Sequence, residues 1–303
     1  MKLVVLAAGQ SHQPPPASPI RPSATAPFLG RPLLDWTLGA ARECGITDVT
    51  VVGGYQFESL ANYPVRLLNN VDYATTSPVG SLMVADQYFG DEFVMSYGDV
   101  TYRPDVLRAL IASPAEIGVV VDLDWEQYWD RRFRETPAVL LSLRMLPDGT
   151  IRSIGRAADR IEDVQGQFAG LVMFRGRGVK ALRRAWQRAT ADAMYRRPIL
   201  GHCNALSQLG MTDVLDELIS GDVPIKAVRI NGGWVEIEST SDIPAAEERW
   251  ASSAKSGGAT PDSGMPSGGS AGGPSTGPSS GASGDAAPPP SSLPTFHPVR
   301  RWR

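Results

Sequence analysis

The stretch Lys2-Leu3-Val4-Val5-Leu6-Ala7-Ala8-Gly9 decides how the rest of the chain is read. Its apolar residues are adjacent rather than alternating with polar ones. That is the pattern of a strand buried on both faces, as in a parallel sheet covered by helices. Three small residues close it. Small residues at the carboxyl end of a strand let a ligand approach the backbone, and open α/β sheets bind their ligands at that edge. The same N-terminal run has the outline of a secretory leader. It is at the short limit for one, and polar, Pro-rich sequence follows, so a strand is the better reading.

Working outward, short apolar runs alternate with helical patterns. Strands are predicted at Val49–Gly53, Val65–Leu68, Phe93–Tyr97 and Ile117–Val121, and helices at Pro32–Cys44 and Pro104–Ala112. Gly45 ends the first helix as a C-cap residue does, and Pro104 suits the first turn of the second. From Val139 the pattern changes to a hairpin, Val139–Met145 and Ile151–Ile154, around the turn Pro147-Asp148-Gly149. A strand at Gly170–Phe174, helices at Val179–Ala193 and Thr212–Ser220, and late strands at Val223–Ile230 and Trp234–Ile237 complete the order. The expected fold class is α/β: a Rossmann-like, mixed but mostly parallel sheet with helices on both faces.

The chain has 303 residues, 42% hydrophobic and 20% charged, with 31 Gly and 25 Pro concentrated toward the C-terminus. Residues 1–250 read as one domain. Residues 251–303 are almost entirely Gly, Ser, Pro and Ala up to Leu293, too poor in apolar surface to offset chain entropy, and are expected to be a disordered tail. Its end, Arg300-Arg301-Trp302-Arg303, is either a solvated terminus or a dock for an acidic partner. The net charge of −3 lacks the basic excess of a general nucleic-acid binder. No apolar run is long enough to span a membrane. Cys44 and Cys203 are isolated, which argues against a disulfide framework or zinc site and for a cytoplasmic protein.

There is neither a G-x-G-x-x-G nor a G-x-x-x-x-G-K-[ST] sequence, which disfavours a dinucleotide dehydrogenase and a P-loop. The order of other segments is more specific. LAAG (Leu6–Gly9) is followed by GRPLLDW (Gly30–Trp36), GITDVTVVGGY (Gly45–Tyr55), SYGDV (Ser96–Val100) and VDLDWEQYWDRRF (Val121–Phe133). Then come IGRAADRIEDVQGQFAGLVMF (Ile154–Phe174), MTDVLDELI (Met211–Ile219) and NGGWVEIES (Asn231–Ser239). This series resembles the nucleotidyltransferase family of sugar-nucleotide pyrophosphorylases, and within it the phosphocholine and phosphonate cytidylyltransferases. The resemblance implies transfer of a nucleoside monophosphate, CMP above all, from a nucleoside triphosphate to a small phosphorylated or phosphonate acceptor, with pyrophosphate released. The acceptor oxygen is already an anion, so positioning and charge neutralisation matter more than a strong base. An enzyme acting on a sugar phosphate fits the Trp-rich segment less well.

The resemblance also implies roles for residues. Leu6, Ala7, Ala8, Gly9, Ser23 and Gly98 fall at nucleotide-binding positions. Asp99 stands in the family's G-D motif. Glu238 stands where its W-x-E-x-D motif ends, with Glu236 two residues earlier, on the same face of a strand. Asp99 and Glu238 are thus the candidate catalytic residues and the ligands of Mg²⁺, which takes hard carboxylate oxygens. Asp99 equally suits a solvent-facing turn, and the glutamates an exposed strand face. Trp125 and Trp129, near Asp122 and Asp124, are candidates to hold an acceptor's ammonium group with Glu236 and Asp213. Trp125 and Trp129 also suit packing on one helix face, and Thr212-Asp213 a helix cap.

Departures from the pattern set up a rival reading. The positions of a Gly, an Arg and a Lys that surround the triphosphate hold Ser11, Gln13 and Ser23, and a further basic position holds Ala157 beside Arg156. Pro14-Pro15-Pro16 stiffens the intervening loop and removes its N–H donors. Losing one preorganised electrostatic partner commonly costs about 3–4 kcal/mol at a transition state. The chain is therefore either a cytidylyltransferase in which Arg21, Arg31 or Arg156 compensates, or a catalytically degenerate relative that binds a nucleotide or protein.

Overall fold

The computed structural model describes residues 1–10, 21–132 and 140–253. Ser11, Gln13, the proline run at 14–16, Val139 and the expected tail beyond 253 lie outside the described residues.

Seven strands form the central sheet: β1 (Lys2–Ala7), β2 (Val49–Gly53), β3 (Arg66–Asn69), β4 (Glu92–Tyr97), β6 (Ile117–Asp122), β9 (Gln167–Arg175) and β10 (Lys226–Ile230). Their order across the sheet is β10-β6-β9-β4-β1-β2-β3. β9 runs antiparallel to both its neighbours, and every other pairing is parallel. The mixed, mostly parallel sheet is thus as expected. The remaining strands with roles are β5 (Val100–Tyr102), β7 (Leu141–Met145), β8 (Ile151–Ala157) and β11 (Trp234–Glu236).

Alternation along each strand feeds two cores. Val4, Leu6, Phe93, Met95, Val119 and Phe174 face one side. There they meet α2 (Pro78–Val84), α5 (Arg177–Met194), α6 (Met211–Ser220) and the β7–β8 hairpin. Leu3, Val5, Val94, Val120 and Met173 face the other side, under α1 (Leu33–Glu43) and α3 (Pro104–Ala112). A third cluster joins Phe28, Leu33, Val235, Ile237 and Trp250, the last on α7 (Ile243–Ser253). α7 continues through the expected boundary at 250.

Some boundaries move. β10 begins at Lys226 rather than Val223, because the Val223 N–H closes the end of α6 on the Leu218 carbonyl. β11 ends at Glu236, and β9 reaches back to Gln167. Two helices, α2 and α7, are not announced by the sequence pattern, whereas α4 (Glu126–Arg132) is the helix that the i, i+4 spacing of Trp125 and Trp129 allows. The α2 start does carry a signal, since Ser77 accepts the Gly80 N–H and Pro78 follows it.

Two features position the site. From β1 the chain moves to one side of the sheet (β2, β3) and then returns to β4 on the other, so a crevice opens at the carboxyl ends of β1 and β4. Past β4, the short strand β5 pairs antiparallel with β11, with Val100 opposite Glu236. That pairing carries the end of the chain's last strand to the residue that follows β4.

Candidate active site

At the carboxyl edge, the backbone of β1 is closely enclosed. The Gly98 N–H donates to the Leu6 carbonyl (2.9 Å) and the Tyr55 N–H to the Ala8 carbonyl (3.0 Å). A Cβ on Gly98 would lie 2.6 Å from the Leu6 oxygen, so only glycine lets the two strand ends approach this far. The Ser23 N–H donates to the Gly9 carbonyl (3.3 Å), and Ala24 packs beside Gly98. Leu6, Ala7, Ala8, Gly9, Ser23 and Gly98 are therefore brought together.

The acids meet next to them. The Asp99 carbonyl accepts the Ile237 N–H (2.8 Å), which locks the turn after β4 to the end of β11. Carboxylate oxygens of Asp99, Glu236 and Glu238 come within 4.8 Å of one another. Burial, with the charge of Glu238 beside it, pushes the Asp99 carboxyl up to about 7. Burial also raises Glu236, against the pull of Arg132.

Arg132 was not a candidate in the sequence reading. Its side chain, at the end of α4, is only 3% exposed. It bonds the Glu236 carboxylate through Nη1 and Asp242 Oδ1 through Nε (3.1 Å), with Nη2 3.6 Å from Glu238. Burial opposes the guanidinium charge, but the surrounding carboxylates outweigh it and hold its pKa above the ordinary value. Asp242 in turn accepts the backbone N–H groups of Glu238 and Ser239, both at 2.9 Å. The Tyr128 hydroxyl accepts the Glu236 N–H (3.1 Å) and donates to its carbonyl (3.0 Å). Trp125, Tyr128 and Arg132 stand at i, i+3 and i+7, one face of α4, and this spacing was the available signal.

That face opens on a small, shallow crevice lined by Trp125, Tyr128, Trp129, Arg132, Gln167, Trp234 and Glu236. Trp125 is buried and Trp129 half-buried, with ring centroids 6.2 Å apart in an edge-on arrangement. The two tryptophans therefore both pack on each other and line the crevice with Glu236. Asp122 does not face it: wholly buried, it accepts from the Gly232 N–H, the Trp234 indole and Arg249.

Asp213 stands apart from the crevice lining. Its Oδ2 accepts the Gly210 N–H (2.8 Å) at the start of α6, the capping role, and its Oδ1 lies 4.0 Å from His202 Nδ1. Of the arginines named as replacements for the missing cations, Arg31 stacks on Trp36 (3.7 Å to the ring centre) and Arg156 forks onto Asp216 (3.1 and 2.8 Å).

Comparison with known proteins identifies the family. Residues 3–202 match the family described as MobA-like NTP transferase domain. The CTP:phosphoglutamine cytidylyltransferase of Campylobacter jejuni is 26% identical over 260 residues, covering 82% of this chain and the whole of that protein. The CMP-5'-(3-aminopropyl)phosphonate synthase of Streptomyces rubellomurinus is 31% identical over 122 residues, 38% of this chain and 19% of that longer protein. The solved structure of the inositol-1-phosphate CTP transferase from T. maritima shares the fold, with a TM-score of 0.63 at 15% identity over 86% of this chain and 98% of that one.

Proposed function

The chain belongs to the MobA-like NTP transferase domain family, and from that premise we propose that it transfers a cytidylyl group from CTP to a small phosphorylated or phosphonate acceptor, releasing pyrophosphate. The observation that carries this reading is the gathering of Asp99, Glu236 and Glu238 at the carboxyl edge of β1 and β4, beside an aromatic crevice. Family membership favours an enzyme over a binding module. The full-length likeness to a cytidylyltransferase favours CTP.

A divalent metal is general to nucleotidyltransferases, and the donor set fits one: hard carboxylate oxygens, close together, at an edge a triphosphate can reach. Asp99 and Glu238 would hold Mg²⁺, which would supply positive charge to offset the negative charge that the leaving pyrophosphate gains. The acceptor oxygen attacks the α-phosphorus, and the bond from that phosphorus to the β-phosphate bridging oxygen breaks. No proton need move, because the acceptor is an anion at neutral pH. The chain's own groups position the partners. Exposed Gly9, just past the buried Ala7 and Ala8, offers bare backbone to a nucleotide, and Trp125 and Trp129 give the acceptor an apolar wall. An acceptor carrying an ammonium group suits these aromatic faces and Glu236.

A second reading, a nucleotide- or protein-binding relative without turnover, draws on Ser23, which lies against Gly9 where a lysine would stand, and on the engagement of Arg31 and Arg156 elsewhere. Pyrophosphate release with Mg²⁺, measured for each nucleoside triphosphate against phosphocholine, phosphoglutamine, inositol-1-phosphate and an aminoalkyl phosphonate, separates the two. Turnover with CTP and one acceptor supports the enzyme. No turnover together with no CTP binding by calorimetry removes it.

A further inference from the structure

We propose that Arg132 is a positioning residue that divides the acid cluster: it ties Glu236 and Asp242 into the protein and leaves Asp99 and Glu238 to hold the metal. The inference rests on the reading above that a divalent cation binds here.

Proximity alone does not choose among the acids, since oxygens of Asp99, Glu236 and Glu238 share one small space. Arg132 does. Two of its nitrogens hydrogen-bond Glu236 and Asp242, while the third makes only a longer ion pair with Glu238, at 3.6 Å beyond a good hydrogen bond. Exposure follows the same division. The side chains of Glu236 and Asp242 are 4% and 7% exposed, and that of Glu238 is 31% exposed.

Glu236 is held twice from one helix face. Arg132 grips its carboxylate, and Tyr128, one turn earlier on α4, grips both its backbone polar groups. A carboxylate fixed this way is a wall of the aromatic crevice, not a mobile ligand. Asp242 carries the other half of the device. One oxygen takes the Arg132 Nε–H, and the other takes the backbone N–H of Glu238. Arg132 therefore orients Glu238 through Asp242 without touching the metal.

The test is Mn²⁺ binding to the full chain, followed by electron paramagnetic resonance without nucleotide, at a temperature where each variant is folded. D99N and E238Q are expected to weaken Mn²⁺ by about thirtyfold or more, and E236Q by clearly less than either, because all three remove a nearby negative charge but only the first two remove a ligand. Arg132→Met is expected to weaken it about tenfold, the usual scale for losing an outer partner of a ligand. Removing a cation would by charge alone tighten a cation site, so the sign separates positioning from simple neutralisation. Arg132→Lys keeps the charge but not the fork, and is expected to bind as poorly as Arg132→Met.

Tighter Mn²⁺ binding in Arg132→Met, or parental binding in Arg132→Lys, overturns the positioning role. E236Q losing as much as D99N overturns the division while leaving the metal reading intact. Parental binding in both D99N and E238Q overturns the metal reading, and the division with it. If Arg132→Met does not fold, Arg132→Lys and E236Q decide.

Discussion

Asp122 is the buried charge on which the approach to β11 depends, and its removal gives a sharp prediction. Its side chain has no exposure to solvent and accepts from four donors. These are the N–H groups of Asp124 (3.1 Å) and Gly232 (2.9 Å), the Trp234 indole (3.0 Å) and the Arg249 guanidinium. Arg249, itself 7% exposed on its side chain, also donates to the Asp124 carbonyl (2.9 Å) and lies over the Tyr128 ring. Asp122→Ala leaves this guanidinium buried without its counter-charge. Breaking a buried ion pair from one side costs about 3–5 kcal/mol. The orphaned indole and Gly232 N–H add to the cost, so the upper half of that range is expected.

For a folded unit of this size, about 2–4 °C of Tm is lost per kcal/mol, which gives a drop of about 8–20 °C. Calorimetric melting and urea titration of Asp122→Ala measure it directly. Arg249→Met in the same background removes the stranded charge and is expected to restore about half of the loss, because a buried pair is dearer to break than to replace by apolar groups. A loss below about 1 kcal/mol in the single variant, or no recovery in the double, would falsify the account of Asp122 as an internal anchor.

Gly98→Ala must push the ends of β1 and β4 apart, and a stability loss of about 1–3 kcal/mol in urea is expected; an unchanged midpoint would mean the turn has slack. Asp48 accepts from Arg66 at 2.7 Å, with Lys2 at 3.5 Å, and the Arg66 hydrogen bond holds its carboxyl below the usual range. Its stabilisation is therefore present above the unfolded pKa and lost as pH falls through the lower folded value; being partly exposed, it is worth about 0.5 kcal/mol. The Tm gap between the parent and Asp48→Asn should accordingly be seen at pH 6 and shrink as the pH is lowered through the folded value, and a gap that widens in acid would contradict the pair. Trp129→Ala is expected to raise the acceptor KM about tenfold with the CTP KM within about twofold, and equal changes in both would remove Trp129 from the acceptor wall.

What the sequence made readable follows from how local each cause is. β1, β2 and β6 were legible because a doubly buried strand is a nearly continuous apolar run, and Leu3–Leu6, Val49–Val52 (broken only by Thr50) and Ile117–Val121 are such runs. Asp99 was legible because a Gly-Asp pair that ends a buried strand stands at the edge where ligands bind. Glu236 and Glu238 were legible as a pair because alternate residues of a strand share a face. Arg132 was not, because nothing near it explains a buried cation. The reason lies in the pairing of β5 with β11, which joins Val100 to Glu236, far apart in the chain. Only then do Asp99, Glu236, Glu238 and Asp242 converge, and so many carboxylates in one buried place demand a resident positive charge. The same logic reassigns Asp122 and Asp124. In sequence they are two acids beside tryptophans, the outline of an ammonium site. In the fold, Asp122 has its own arginine from α7, a helix whose packing on β11 no local period announces. A buried acid is thus read correctly only together with the cation that answers it, and both cations here lie more than 100 residues along the chain from the acids they bond.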